Sequence, residues 1–299
     1  MPLTILPGPP AAGRNLLTNP GFEVWARGNG PFVGAVYGAD RWVANFGAGS
    51  AVSVQRDSAN ADLGSLYCMA VTYTQGTGNS NLQQVLEDYA GLRGRVLTLS
   101  MRVKCATPSA VRLMLVDSST NALSAFHSGS GAYETLTATL AVAAGATLVH
   151  ARVLLVASCT AYADAATLVV GSAAVAFAPP HPATDLLRCQ RYYQEIGGLD
   201  INEVVGPGLC LSGTVAHVPV RLVSEMVAAP TVTVSAPGDW AVYGPSGSVV
   251  PCVTLTYTVQ NRRSIGLTGT VAAGLLVGNA IEIFSNNTLA ARIKFEANP

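Results

Sequence analysis

Short stretches of alternating apolar and polar residues, separated by turn-forming residues, recur along most of this chain of 299 residues. A period of two places successive side chains on opposite faces of an extended strand, so each stretch predicts a half-buried β-strand. Strands at this spacing without long helices between them are typical of an all-β sandwich. The predicted strands are residues 51–55, 68–73, 96–103, 110–116, 134–140, 149–156 and 168–177, then 209–220, 231–235, 249–259, 264–271, 280–284 and 290–295.

A proline-rich break at residues 178–182 separates the two groups of strands. Proline lacks a backbone N–H and cannot continue a strand ladder, so the chain must leave the first core there. Residues 185–196 then carry apolar side chains at roughly helical spacing, with Asp185 as N-cap and two glycines after the last turn, which predicts a short helix. The predicted domains are an N-terminal arm (1–13), a β domain (14–178), a linker with the helix (179–198) and a second β domain (199–299).

The chain has few charged side chains. They make up 11% of the residues, against about 25% in an average soluble domain. We expect much of the surface to be buried between identical chains, although a neutral monomer surface is the alternative. The 17 basic and 17 acidic residues cancel, and no basic run is present, which argues against nucleic acid and anionic membranes as partners.

No stretch reaches the length of apolar sequence that a membrane span needs, and no signal peptide is evident. We therefore expect a soluble protein that is not secreted through a signal peptide. The six cysteines show no metal-site spacing and mostly lie in apolar or alternating stretches. They are expected to be buried thiols outside disulfides, which suits assembly in a reducing cytoplasm.

Motifs of the common catalytic sites are absent. The sequence has no nucleophile elbow, phosphate-binding loop or zinc-binding H-E-x-x-H, and its four histidines lie far apart. We expect no enzyme and no cofactor. A glycan-cleaving enzyme remains the alternative, because a carboxylate pair can come from distant strands.

Aromatic side chains in the second β domain are better candidates for function. Trp240 and Tyr243, with Asp239 beside them, lie in a predicted long connection at residues 236–248 that begins with a Pro-Gly turn. Long connections at the tip of a rigid sandwich often carry recognition, and an exposed aromatic ring can stack on a sugar. The three residues are the predicted ligand-binding site. The alternative is that Trp240 packs in the core.

Five short segments resemble landmarks of phage tail fibre and minor tail proteins, in the order in which those proteins carry them. The C-Q-R-Y-Y sequence at residues 189–193 follows a jelly-roll module in many of them. N-L-L-T-N-P-G-F-E at 15–23, A-D-R-W at 39–42 and L-R-G-R-V-L-T-L-S at 92–100 resemble strands of that module. A-P-T-V-T at 229–233 is similar to a segment of the distal domain.

The resemblance implies an all-β chain: an N-terminal jelly-roll β-sandwich like that of carbohydrate-binding modules, a short connecting helix and a C-terminal β-sandwich. It places a strand at residues 81–89, which fit a helical turn by pattern alone. It also places Phe22, Trp25 and Trp42 in strands, so we expect them in the core.

Similar modules often hold a structural calcium ion through a glutamate near the first strand and an aspartate on the last. Glu23 matches the first position. The predicted last strand carries no carboxylate, and calcium prefers several hard oxygen ligands. We therefore predict no metal.

The implied function is that of a structural phage tail protein, a fibre or tail-tip subunit that binds a host cell-surface glycan. The resemblance further implies a homotrimer, attachment to other tail proteins through the arm, and a virion location after assembly in the host cytoplasm. Arg191, Tyr192 and Tyr193 are the predicted contacts between domains or between copies. A tail decoration protein without its own receptor is a further alternative.

Overall fold

The computed structural model describes residues 13–62, 64–244 and 247–299, which form two compact units, Met1–Leu186 and Leu187–Pro299. The predicted arm lies outside the described residues except for Gly13. The division falls within the segment predicted as linker. Strands dominate both units, and the described part of the chain has one α-helix, α1 (Pro182–Gln190). The all-β class is confirmed.

The first unit is a sandwich of two antiparallel sheets, as predicted. One sheet has the order β1-β3-β4-β11-β6-β9 and the other the order β2-β5-β10-β7-β8. Their strands are β1 (Phe32–Val33), β2 (Val43–Asn45), β3 (Ala51–Asp57), β4 (Cys68–Thr74), β5 (Ser80–Val85), β6 (Val96–Cys105), β7 (Val111–Asp117), β8 (Asn121–Leu123), β9 (Tyr133–Ala141), β10 (Val149–Leu155) and β11 (Cys159–Val170).

The core of the first unit lies between the two sheets, and strand alternation fills it. On β7, Val111, Leu113 and Leu115 are fully buried, while the residues between them face away from the core. On β5, Leu82 and Gln84 point inward in the same way. The strand that resemblance placed in residues 81–89 is therefore confirmed for its first half, where half-buried residues alternate with buried ones.

The predicted aromatic core of the first unit is confirmed. Phe22, Trp25 and Trp42 are all buried, and the rings of Phe22 and Trp42 lie 5.0 Å apart between centroids. The indole N–H of Trp42 donates to the carbonyl of Asn19 at 3.1 Å. The one polar group of this buried indole thus has the hydrogen-bond partner that it needs.

The second unit is a closed six-stranded barrel with a three-stranded sheet, which corrects the predicted sandwich. The barrel order is β13-β14-β18-β17-β16-β19, and β13 pairs with β19 to close it. The separate sheet has the order β12-β20-β15. The strands are β12 (Tyr193–Ile196), β13 (Val204–Cys210), β14 (Val215–Arg221), β15 (Thr231–Val234), β16 (Trp240–Tyr243), β17 (Val249–Asn261), β18 (Ser264–Val271), β19 (Ala280–Ser285) and β20 (Ile293–Glu296).

The helix is shorter than predicted and begins earlier. It starts at Pro182, since the missing N–H of proline costs nothing in the first turn. Asp185 is therefore not its N-cap, and its carboxylate accepts the N–H of Asn19 at 3.0 Å. The predicted last turn is instead strand β12, because residues 193–196 find backbone partners in β20.

All six cysteines are buried and none forms a disulfide, as predicted.

No helix among the described residues combines the length and the apolar character that crossing a membrane requires.

Candidate functional site

The predicted ligand-binding role of Trp240 is wrong. Residues 240–243 form strand β16 instead of part of a long loop, so Trp240 and Tyr243, three residues apart, face opposite sides. Trp240 is fully buried in the core of the second unit, and its indole N–H donates to the hydroxyl of Ser235 at 3.0 Å. A sugar cannot stack on this ring. Tyr243 is 46% exposed, and Asp239 lies in a 3-10 turn before the strand.

Of the three predicted interface residues, only Arg191 is exposed. Tyr192 and Tyr193 are buried, and Tyr193 lies on β12, where its hydroxyl donates to the carboxylate of Glu195. Their predicted placement on the helix is wrong for all three, since α1 ends at Gln190. The interface role of the three residues stays a prediction.

The last strand of the first unit does carry a carboxylate, which corrects the argument against calcium. β11 contains Asp164, which is fully buried. Its oxygens accept the N–H of Asp62 at 3.0 Å and the hydroxyl of Ser65 at 3.1 Å. Burial raises the pKa of Asp164 to about 6, against the opposing effect of these donors.

These carboxylates do not fit a calcium ion as they are placed. Glu23 accepts the N–H of Leu66 at 2.9 Å, and the oxygens of Asp164 already face donors whose positive ends would repel a cation. Among the described residues, no group of three or more His, Cys, Asp or Glu side chains could hold a metal. The absence of calcium stays a prediction.

The outer face of the five-stranded sheet gathers polar side chains that the sequence analysis did not single out. We call Asn81 and Gln83 on β5, Arg112 on β7, and His150 and Arg152 on β10 the polar face. The strand register brings them together. Arg152 on β10 lies opposite Gln83 on β5. The next outward residue of β10, Leu154, lies between Asn81 on β5 and Arg112 on β7. All five are half-buried.

Hydrogen-bonding atoms of the polar face lack partners. Across the described residues, six buried side-chain polar atoms make no hydrogen bond, and four of them lie here: Oδ1 of Asn81, Oε1 of Gln83, and Nε of Arg112 and Arg152. Leaving such an atom without a partner costs about 1–3 kcal/mol, and native proteins have few of them. Since the side chains are only half-buried, their other polar atoms reach the surface. Four such atoms on one face make it a candidate ligand site.

His150 is a neutral member of this face at neutral pH. Its burial, and the charge of Arg152 beside it, lower the pKa of the imidazole to about 4. The Nδ1 atom lies 3.0 Å from a guanidinium nitrogen of Arg152. A neutral imidazole accepts this hydrogen bond and so orients the guanidinium. It adds no second positive charge.

Apolar surface adjoins the polar groups. The guanidinium carbon of Arg112 lies 4.3 Å from the ring centroid of Phe126, and this ring is 37% exposed. Met114, on the same face of β7, lies opposite Arg152. A ligand on this face therefore meets both hydrogen-bonding groups and an apolar patch.

The outward positions of the five strands contain no acidic residue. On each strand the outward positions alternate with positions that face the core, and the pairing register aligns the outward positions of neighbouring strands. They are Val43, Asn45, Asn81, Gln83, Val85, Arg112, Met114, Val116, Asn121, Leu123, His150, Arg152 and Leu154.

Two cavities elsewhere are chemically less suited to a ligand. A cavity of about 760 Å³ in the first unit is lined by Trp25, Tyr67 and Phe177. Glu23 in its wall is already hydrogen-bonded. In the second unit, a groove of about 600 Å³ contains Arg262 and Arg263, and both pair with Glu225, which holds the pKa of that carboxyl low. The charged groups named here already have protein partners, unlike those of the polar face.

A weak sequence signal for the polar face exists. Arginine or histidine alternates with apolar residues on two predicted strands, residues 110–116 and 149–156. Such a strand has a charged outer face, which usually only contacts water. The sequence does not tell which strands are neighbours, so it does not bring Arg112, Arg152 and the amides together.

No protein-family model matches the chain, and the comparison with curated proteins finds no match. Solved structures do match, and they include modules that bind polysaccharides. The CBM22-1 xylan-binding domain of Paenibacillus barcinonensis Xyn10C is 16% identical, with a TM-score of 0.39 over 55% of this chain and 98% of that chain.

Two further matches cover only part of longer proteins. The chain spans 29% of the CBM22-1 and GH10 modules of Clostridium thermocellum xylanase 10B, solved with xylohexaose, at 13% identity over 54% of this chain and a TM-score of 0.40. It spans 21% of the enzymatically active domain of bacteriophage CBA120 tailspike protein 4, at 12% identity over 52% of this chain and a TM-score of 0.38. Likeness at this level carries no argument about function.

Proposed function

We propose that this protein binds a glycan on the polar face of its first unit. The observation that carries the proposal is the set of four buried polar atoms without partners on Asn81, Gln83, Arg112 and Arg152. A ligand that engages the exposed polar atoms of these side chains adds hydrogen bonds that the chain alone leaves unmade.

A sugar suits this chemistry. Its hydroxyl groups both donate and accept, which matches the amides of Asn81 and Gln83, while guanidinium groups only donate. The C–H side of a sugar ring packs on apolar groups such as Met114 and the exposed edge of Phe126. Amides, donors and an apolar patch on one face are the mixture by which ligand sites fix orientation.

The proposal is of binding without cleavage. Glycoside hydrolysis commonly needs two carboxyl groups about 5–10 Å apart beside the scissile bond. The outward positions of the five strands supply no carboxyl group, so a sugar held across the polar face has no acid and base from these positions.

We further propose that the protein is a subunit of a phage tail, located in the virion and attached through its N-terminal arm. The sequence resemblance to tail fibre and minor tail proteins supports this. The low charge content, 11%, favours contacts that bury uncharged surface between copies, and the resemblance implies that the copies are three. Sedimentation at micromolar concentration is expected to give three times the chain mass of 30.7 kDa. A monomer at that concentration would contradict the proposed trimer.

A double replacement tests the glycan site. Asn81→Ala with Gln83→Ala removes two neutral hydrogen-bonding groups worth about 1 kcal/mol each, so binding should weaken about 30-fold. A glycan array probed with the labelled full chain identifies the bound sugar. Calorimetric titration of that sugar into the unchanged protein and into the double variant then measures the two affinities.

Tyr243→Ala is the matched control, because it removes an exposed side chain of the earlier sequence-based site. It should leave the affinity unchanged. Loss of binding in Tyr243→Ala together with full binding in the double variant would reject the polar face as the site.

A further inference from the structure

Two arginines of the polar face lack a partner of opposite charge. Among the described residues, Arg112 makes a ring contact with Phe126 and no hydrogen bond, and Arg152 reaches only the neutral His150. The register places both side chains on the same face, and Leu154 on the strand of Arg152 lies directly opposite Arg112. The chain thus holds two positive charges close together without a nearby acid from the outward strand positions.

This arrangement is unfavourable for the chain alone. Removing a guanidinium from water costs free energy unless a carboxylate or several hydrogen bonds replace the water. Burial accordingly lowers the pKa of Arg152. Arg27 and Arg102 follow this rule, since Arg27 pairs with Asp40 and Arg102 with Asp62 at 3.3 and 2.6 Å. The polar face departs from it twice.

We infer that the glycan bound at the polar face is acidic, and that Arg112 and Arg152 bind its anionic group. The inference rests on the glycan-binding function proposed above and adds the class of sugar. The planar guanidinium forms two parallel hydrogen bonds with a carboxylate, and phosphate or sulfate oxygens fit the same fork. The amides of Asn81 and Gln83 then contact ring hydroxyls, and they do so whether or not the sugar carries a charge.

Matched polysaccharides separate charge from sugar structure. The probes are polygalacturonate, alginate, hyaluronate and polysialic acid, each beside its carboxyl-reduced form, which keeps the linkages and loses the charge. Dextran sulfate beside dextran tests sulfate instead of carboxylate. The full chain is expected to bind at least one acidic member about tenfold to a hundredfold more tightly than its neutral form, the range of a charge-assisted hydrogen bond.

Variants assign the preference to the two arginines. Arg112→Gln with Arg152→Gln should abolish the preference for the acidic form, so that the acidic and neutral forms bind with equal affinity. The matched control is Arg262→Gln with Arg263→Gln, which removes the same charge from the exposed groove of the second unit. This control should still prefer the acidic form. If the preference were a non-specific attraction of polyanions, both double variants would lose it to the same extent. Equal melting temperatures show that the variants are folded.

The outcomes distinguish this inference from the function on which it rests. Equal binding of acidic and neutral forms, weakened in both by Asn81→Ala with Gln83→Ala, keeps the glycan site and overturns the acidic sugar. Binding of no glycan overturns both. Dissociation of an oligomer by the double arginine variant, with glycan binding unchanged, would show that the arginines face another copy, and the inference fails.

Discussion

Trp240→Ala is expected to lower the free energy of unfolding of the second unit by about 3–5 kcal/mol, the usual cost of truncating a large buried aromatic side chain. The indole is fully buried and packs in one cluster with residues of both the barrel and the three-stranded sheet. Its removal leaves a cavity in that core and takes from the hydroxyl of Ser235 one of its two donors. Calorimetry measures the loss, and hydrogen exchange of peptides from residues 199–299 locates it.

Tyr243→Ala, at the other end of the same strand, is the control. Its ring is 46% exposed, so the free energy of unfolding should change by less than about 1 kcal/mol. A Trp240→Ala protein with unchanged stability and lost glycan binding would contradict the buried position and restore the earlier sequence-based site.

Gln84→Leu is expected to cost the first unit about 2–5 kcal/mol, because it leaves two buried backbone groups without partners. The side-chain amide of Gln84 accepts the N–H of Thr18 and donates to its carbonyl, both at 2.8 Å. Leucine fills similar space but offers neither bond. Chemical denaturation, monitored by the fluorescence of Trp25 and Trp42, measures the change.

The neighbouring Gln83→Leu is the matched control. This side chain points to the polar face, and its buried Oε1 atom has no partner. Replacement should not lower the free energy of unfolding, since it removes a buried atom that lacks a partner, and should weaken glycan binding. Equal destabilisation by the two changes would contradict the opposite orientation of adjacent residues on β5.

Much of the first unit could be predicted from the sequence, since several of its strands, such as β7 and β9, are buried on one face only. Alternation such as Val111, Leu113 and Leu115 records that burial directly. The strand at residues 80–85 is the exception, because Gln84 occupies an inward position and breaks the apolar pattern. Only the resemblance predicted it, and the hydrogen bonds of Gln84 with Thr18 explain why a polar residue is stable there.

The errors occurred where partners distant in sequence decide the local structure. Residues 193–196 became a strand because β20, almost a hundred residues later, pairs with them. Trp240 follows a turn signal, yet β17 and β19 flank it and make residues 240–243 a strand. Closure of the barrel also depends on one long-range pairing, β13 with β19. Local patterns contain none of this information.

The candidate site could not be predicted for the same reason. Asn81, Gln83, Arg112 and Arg152 come from three strands, and only the sheet order β5-β10-β7 makes them neighbours. Each is an ordinary outward-facing polar residue in its own strand. Their significance depends on missing partners, which only the assembled sheet shows.

A crystal structure of the full chain with the most tightly bound oligosaccharide of the array tests the central claim most directly. We predict sugar oxygens within hydrogen-bonding distance, about 2.7–3.2 Å, of the side chains of Asn81, Gln83 and Arg152. A sugar bound beside Tyr243, or in the cavity lined by Trp25 and Tyr67, with the polar face empty, would contradict it.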